Sequence, residues 1–327
     1  MVLVTMLMSL LGPSLQMPQA LAAPAQTTVT LDAVADATVR QWAPDINFGD
    51  ETSLQLIYGG VNEEAVTLVR FDLSSLPPDA VVDSASLRLY LETASGADPV
   101  SIGIHAVTSD WDELGADGVT WNTFPTVEPM GLVADIDAEV LSYKSWPATS
   151  FAQAWIDDPS SNFGVMLRGP TDGPGYEREF ASHEYLERPP QLEVTYHLPP
   201  YTFTGHVYEG EPEDTSTPLE GVTVELWGDE DEWPEGGADR VLLASDLPTG
   251  SDGAFQIAWD RATAWPYLHV IETDPTDAFS TGAAVDAPGY VKNANVVSYR
   301  QEALLEIGLY NFGGIAFWDR FPEEAYP

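Results

Sequence analysis

"RFDLSSLPPDAVVDSASLRLYL" runs from Arg70 to Leu91. In its second half Ala85, Leu87, Leu89 and Leu91 fall on one side, and Ser86, Arg88 and Tyr90 on the other. A period of two marks a half-buried β-strand, because successive side chains leave a strand on opposite faces. Leu76-Pro77-Pro78-Asp79 reads as a turn, since Pro fixes φ and Asp bonds its own backbone. Arg70 and Asp72 share one face of the preceding strand, and a partly buried Arg needs a carboxylate, from Asp72 or a neighbouring strand.

The same pattern recurs outward from this stretch. "VTLVRFDL" (66–73), "VSIGIHAV" (100–107), "FGVMLRG" (163–169) and "QLEVTYH" (191–197) are short runs bounded by Gly, Pro and Asp. One helix is expected at "ATSFAQAWID" (148–157), where Phe151, Ala154 and Trp155 fall at helical spacing and Asp157-Asp158-Pro159 stops it. The Pro pair in "HLPPYTF" (197–203) marks a domain boundary. Beyond it, "FTGHVY" (203–208), "GVTVELWG" (221–228), "AFQIAW" (254–259) and "YLHVIET" (267–273) form a second all-β unit. The fold class is all-β, with two β-sandwich domains at 27–198 and 199–327. Residues 1–26 are expected to be a signal peptide and leader. An apolar run, Val2 to Leu11, precedes Ala20-Leu21-Ala22, with cleavage before Ala23, although no Lys or Arg precedes the run. The expected product is therefore exported, secreted or cell-surface associated, with no membrane insertion.

The chain carries 52 Asp and Glu against 12 Lys and Arg, a formal net charge of −40, and no Cys. Both halves share the acidity. Such a field argues against nucleic acid, whose phosphates need clustered basic side chains, and against polyanionic sugars. It favours cations, calcium above all, which takes hard oxygen ligands. The plain alternative is a solvated acidic surface. Without Cys there are no thiol nucleophiles, thiolate metal sites or disulfides.

Read in order, the motifs of the first unit resemble the DNRLRE domain, which overlaps a family of carbohydrate-binding modules. They are "ADATV" (35–39), "NFG" (47–49), "VRFDLSSLP" (69–77), "SASLRLYL" (84–91), "SDWDE" (109–113), "VTWNTFP" (119–125), "NFGVMLR" (162–168), "FASHE" (180–184) and "RPPQLEVTY" (188–196). The resemblance implies a secreted, non-catalytic, jelly-roll-like sandwich appended to surface or polysaccharide-degrading proteins. The second unit resembles the B-type repeats of Gram-positive adhesins through "GHVYEG" (205–210), "PLEGVTVELW" (218–227), "TGSDGAFQI" (249–257), "IETDP" (271–275) and "GGIAFWD" (313–319). That implies a prealbumin- or Ig-like sandwich serving as a stalk or spacer. Related domains form a Lys–Asn isopeptide bond from a Lys on the first strand. "YTFTGHVYEG" has no Lys, so no such bond is expected there.

Catalytic constellations are not legible. There is no G-x-S-x-G elbow, "HEYLE" lacks the second His of a zincin, and His105, His183, His197, His206 and His269 are dispersed. With 52 acids, paired carboxylates mean little. The metal candidates of the first unit are Asp36, Asp45, Asn47 and Asp50, in an early loop that could meet Ser182–Glu184 and, with Glu184, staple both chain ends around calcium. The alternative is an ordinary turn, with Asn47 capping its backbone and Gly49 at positive φ. In the second unit "GDEDEWPEGGADR" (228–240) offers Asp229 and Asp231 as a loose calcium loop, without EF-hand spacing. Sugars stack on exposed aromatic rings. Trp42 and Trp146 lie beside Pro or in loops and are the glycan-binding candidates, while Trp111, Trp121 and Trp155 read as core or loop anchors.

The expectation is thus a non-catalytic extracellular protein that binds a neutral polysaccharide or cell-surface glycan, with calcium bracing one or both sandwiches. The alternative is a structural subunit or spacer of an extracellular fibre or wall layer, self-associating. A polysaccharide hydrolase has the least support.

Overall fold

The computed structural model describes residues 25–129, 131–232, 240–246, 248–261 and 263–322. The expected leader falls outside them, apart from its last residues. The first unit comprises β1 (Gln26–Arg40), β2 (Ser53–Tyr58), β3 (Glu64–Phe71), β4 (Val81–Gly96), β5 (Val100–Ala106), β6 (Leu132–Ile136), β7 (Ser142–Pro147), α1 (Thr149–Asp157), β8 (Val165–Arg168), β9 (Tyr176–Ala181) and β10 (Gln191–His197). Two long strands join its layers. β1 pairs with β10 up to Asp32 and with β3 from Ala33 on, across a register shift at Ala33/Ala35. β4 pairs first with β10 and then with β9. The ladder β1-β10-β4-β9-β2-β3 therefore returns to β1, while β8, β5 and β6 continue from β3 and β7 is added to β4.

The alternation read in the opening stretch is realised in β4. Ala85, Leu87, Leu89 and Leu91 are buried in the main core with Val69, Phe71, Trp155 and Phe180. The Pro-Pro-Asp turn closes with Ala80 N–H donating to the Pro77 carbonyl at 3.1 Å. β3 departs from the half-buried expectation, because six of its residues in a row, Glu64 to Val69, are buried. The segment between β5 and β6 folds over its outer face. There Val107, Trp111 and Val119 pack on Ala35, Ala37 and Val39 of β1, Val66 and Leu68 of β3 and Met166 of β8. Arg70 finds its carboxylate on this segment: Nη1 donates to Asp110 at 2.8 Å, and the guanidinium lies over the Trp111 ring. Asp72 instead caps Ser74.

The second unit comprises β11 (Tyr201–Glu209), β12 (Thr223–Asp229), β13 (Val241–Ser245), β14 (Ala254–Trp259), β15 (Tyr267–Thr273), β16 (Phe279–Ala284), β17 (Tyr290–Asn293), β18 (Val296–Arg300), α2 (Gln301–Ile307) and β19 (Asn311–Arg320). A four-stranded sheet, β14-β11-β19-β16, faces a five-stranded one, β13-β12-β15-β18-β17. Its first and last strands pair in parallel. Phe203, Val207, Ile257, Phe312, Ile315 and Phe317 meet Val224, Leu226, Leu268, Val270, Val297 and Tyr299 between them. α2 has no counterpart among the sequence expectations. Pro199 and Pro200 separate β10 from β11. Arg261, from the β14–β15 connection, reaches back to Asp79 of the Pro-Pro-Asp turn and lies over the Tyr201 ring.

Candidate functional site

Asp36 sits on the part of β1 covered by the β5–β6 segment, and its side chain is 1% exposed. Three chain regions meet there. Its backbone N–H donates to Glu113 Oε1 at 2.6 Å, and its Oδ2 accepts the His183 N–H at 2.8 Å. His183 Nε2 lies 2.7 Å from Glu113 Oε1 and 2.8 Å from Glu184 Oε1. Ser182 Oγ donates to Glu184 Oε2 at 2.6 Å. One donor atom from each of Asp36, Glu113, His183 and Glu184 lies within 4.8 Å of the others. Burial pushes the Asp36 carboxyl up to about 8. The His183 N–H works against that rise, and the Glu184 and Glu113 charges add to it.

Three carboxylates and one imidazole converge there, with no Lys or Arg in the cluster. Asp36 Oδ1 is buried without a hydrogen-bond partner. Leaving such an oxygen uncompensated is costly, and a bound cation removes the cost. The donor set fits a divalent ion. The carboxylates suit calcium, with His183 as a hydrogen-bonding neighbour, whereas direct imidazole ligation suits zinc-like ions.

Of the first-unit metal candidates, the structure brings Asp36 and Glu184 together and leaves out Asp45, Asn47 and Asp50. Asp45 is exposed and accepts from Asn122 Nδ2 at 2.9 Å, and Asp50 is exposed. Asn47 spends its amide on the carbonyls of Glu113 and Val119, 2.8 Å each. Closeness along the chain was a poor guide, because Asp45 and Asn47 are engaged by the segment between β5 and β6 instead. Gly49 is not at positive φ. It is required by close approach, since a Cβ there would lie 2.3 Å from the Glu113 carbonyl oxygen. Glu113, in "SDWDE", and His183, in "FASHE", are the ligand candidates that sequence reasoning missed. Both sit in polar stretches between strands, the only signal available.

Trp42 and Trp146 separate completely. Trp42 is 48% exposed in the turn following β1, and Ile46 nearby is exposed too. Trp146 is a correction: it is fully buried, donates Nε1–H to the Ile102 carbonyl at 3.0 Å and meets Phe180 edge-on. It stands opposite Leu87 on β7, so the strand period turns it into the core despite the adjacent Pro147. Trp111 and Trp155 are buried as expected. The Trp42 turn is tied to the Glu113 segment through Asn47 and through Asn122 N–H, which donates to the Pro44 carbonyl at 3.0 Å.

Residues 27–196 match the profile of Carbohydrate-binding module family 96, more than half of the 327-residue chain. The chain belongs to carbohydrate-binding module family 96. Its family 96 module is thus the whole first unit, including the four-residue cluster and the Trp42 turn. No curated protein matches the chain. Solved structures that align include a 9R-lipoxygenase from Cyanothece PCC8801, with 13% identity over 39% of this chain and 17% of that one, at TM-score 0.21. The full-length major pilin SpaD from Corynebacterium diphtheriae aligns with 10% identity over 90% of this chain and 65% of that one, at TM-score 0.21. Domains D2 and D3 of the same pilin align with 10% identity over 90% and 99%, at TM-score 0.22. The chain thus spans less than two thirds of the lipoxygenase and of the full-length pilin. At these scores none of the three informs fold or function.

Outside the module, Asp229 and Asp231 are not brought into a ligand cluster among the described residues. Asp229 is buried and its Oδ1 accepts the Asp231 N–H at 2.9 Å, while the Asp231 carbonyl faces His269 Nε2 at 3.3 Å. Both are used in a local turn and in packing. Residues 233–239 of that loop lie outside the described residues.

Proposed function

We propose that the protein is a non-catalytic extracellular carbohydrate-binding protein whose family 96 module presents the Trp42 turn to a neutral polysaccharide. In this reading a calcium ion held by Asp36, Glu113 and Glu184, beside His183, fixes that turn. The observation that carries the reading is the coupling of the half-exposed Trp42 turn to the Glu113 segment within a module of a carbohydrate-binding family. An exposed indole gives a flat face on which sugar C–H surfaces exclude water. The net charge of −40 disfavours uronates. The second unit then acts as a spacer, and its Arg261–Asp79 contact supports a fixed orientation relative to the module.

Co-sedimentation with insoluble glucans, mannans and xylans, with an alginate arm for the polyanionic case, tests it. The wild-type chain is expected to sediment with at least one neutral polymer. Trp42→Ala abolishes this, and chelator weakens it. Equal sedimentation of wild type and Trp42→Ala, or retention on alginate alone, overturns the reading.

A further inference from the structure

Two acids occupy core-facing positions on opposite sheets of the second unit. On β15, Leu268 and Val270 point into the core, and Glu272 is the next residue on that line. On β19, Ile315 and Phe317 do the same, and Asp319 follows them. The strand period therefore aims both carboxylates into the space between the sheets. Glu272 is 1% exposed and Asp319 0%. None of their four oxygens has a hydrogen-bond partner.

Asp274, just beyond β15, completes the group. One oxygen from each of the three acids lies within 4.8 Å of the others. Asp274 is held in place by Ser280 Oγ and by Asn295 Nδ2, the latter at 2.8 Å. Ser280 is paired across the ladder with Asp319, and the Glu272 N–H donates to the Asn295 carbonyl at 3.0 Å. The charged neighbours acting on Glu272 are Asp319 and Asp274, both acids. Burial and then their charge push it up to about 8, burial and then Asp274 push Asp319 up to about 6, and the Ser280 hydroxyl works against both rises. Buried carboxylates are otherwise paired with a cation or coordinate a metal.

We propose that Glu272, Asp274 and Asp319 bind one hard divalent cation that ties the two sheets of the second unit together. Every donor is a carboxylate oxygen, which selects calcium, magnesium or manganese over ions that favour imidazole or thiolate. The ion neutralises the buried charge and links β15 to β19 across the core. This site shares no residue with the family 96 module and does not rest on the glycan reading.

The test uses the full chain, stripped with chelator, in about 0.15 M salt, where surface charges are screened over about 8 Å. Asp36→Asn/Glu113→Gln removes the first cluster, so its failure and that of the present site are read separately. Titrated with calcium, magnesium and manganese in turn, this variant is expected to bind one ion per chain, and adding Glu272→Gln/Asp319→Asn is expected to abolish it. A variant that binds no ion overturns the proposal. So does binding that survives Glu272→Gln/Asp319→Asn, which would assign the ion to surface acids. A readout independent of any substitution is manganese added to the wild-type chain. It must broaden the amide NMR signals of Ser280, Asn295 and Arg320, and unchanged signals mean that the two carboxyls share a proton instead.

Discussion

Replacing Arg261 with Met removes the charge that joins the two units while keeping an apolar side chain over Tyr201. Arg261 is 3% exposed and its partner Asp79 15%, so the pair is nearly dry. Asp79 Oδ1 already lacks a partner, and the Pro199 carbonyl accepts only a long bond, 3.4 Å, from Arg261. Removing one member of a buried pair typically costs about 3–5 kcal/mol, because the other charge stays behind unpaired. The residual exposure of Asp79 lets water solvate it, which places the expectation near the lower end, about 3 kcal/mol. For a unit of this size that corresponds to a fall in melting temperature of roughly 10 °C. Scanning calorimetry of wild type, Arg261→Met, Asp79→Ala and the double variant forms a closed cycle. The two losses should not add, with a coupling of about 2 kcal/mol or more, since either change alone breaks the same contact. A fall below about 2 °C in Arg261→Met, or additivity within about 0.5 kcal/mol, would refute the brace.

Three further outcomes follow from side-chain placement. Trp146→Ala should cost about 3–5 kcal/mol in urea unfolding, whereas Trp42→Ala should stay within about 0.5 kcal/mol; equal losses would mean that the exposures are wrong. Gly49→Ala should lower calcium affinity without unfolding the module, because its Cβ would displace the Glu113 backbone; unchanged titration would show that Glu113 is not a ligand. His269 is fully buried, and burial holds its imidazole below the ordinary value, against the pull of the Asp231 carbonyl and the Asp229 charge. Its contribution is therefore present above the free-imidazole pKa of about 6.5 and lost as pH falls through the depressed folded value. Melting temperatures of wild type should fall more steeply than those of His269→Gln between about pH 7 and pH 5, and parallel curves would exclude the imidazole as the cause.

Where one physical rule governs a residue, the sequence was readable. β10, β14 and β15 occupy the runs that alternation marks, and α1 stops at Asp157 before Pro159 as its breaker dictates. β3 looked half-buried because its outer cover, Val107 to Val119, lies far along the chain and has no regular period. The same distance hid Glu113 and made Asp45, Asn47 and Asp50 seem better ligands than they are. Asp36 and Glu184 could be brought together only by supposing that the first and last strands pair, and β1 does pair with β10. Glu272 and Asp319 are a different case. The period of two that placed Leu268 and Val270 inward also places Glu272 inward, and the same holds for Phe317 and Asp319. Their burial follows from that period, but an acid on a core face contradicts the hydrophobic rule. An acid that keeps the phase of a buried face is where local preference and global fold disagree, and such disagreements concentrate at sites that bind something. By that criterion Asp36, in phase with the buried Thr38 on the face of β1 opposite Ala35 and Ala37, belongs with Glu272 and Asp319, and the exposed carboxylates of the acidic loops do not.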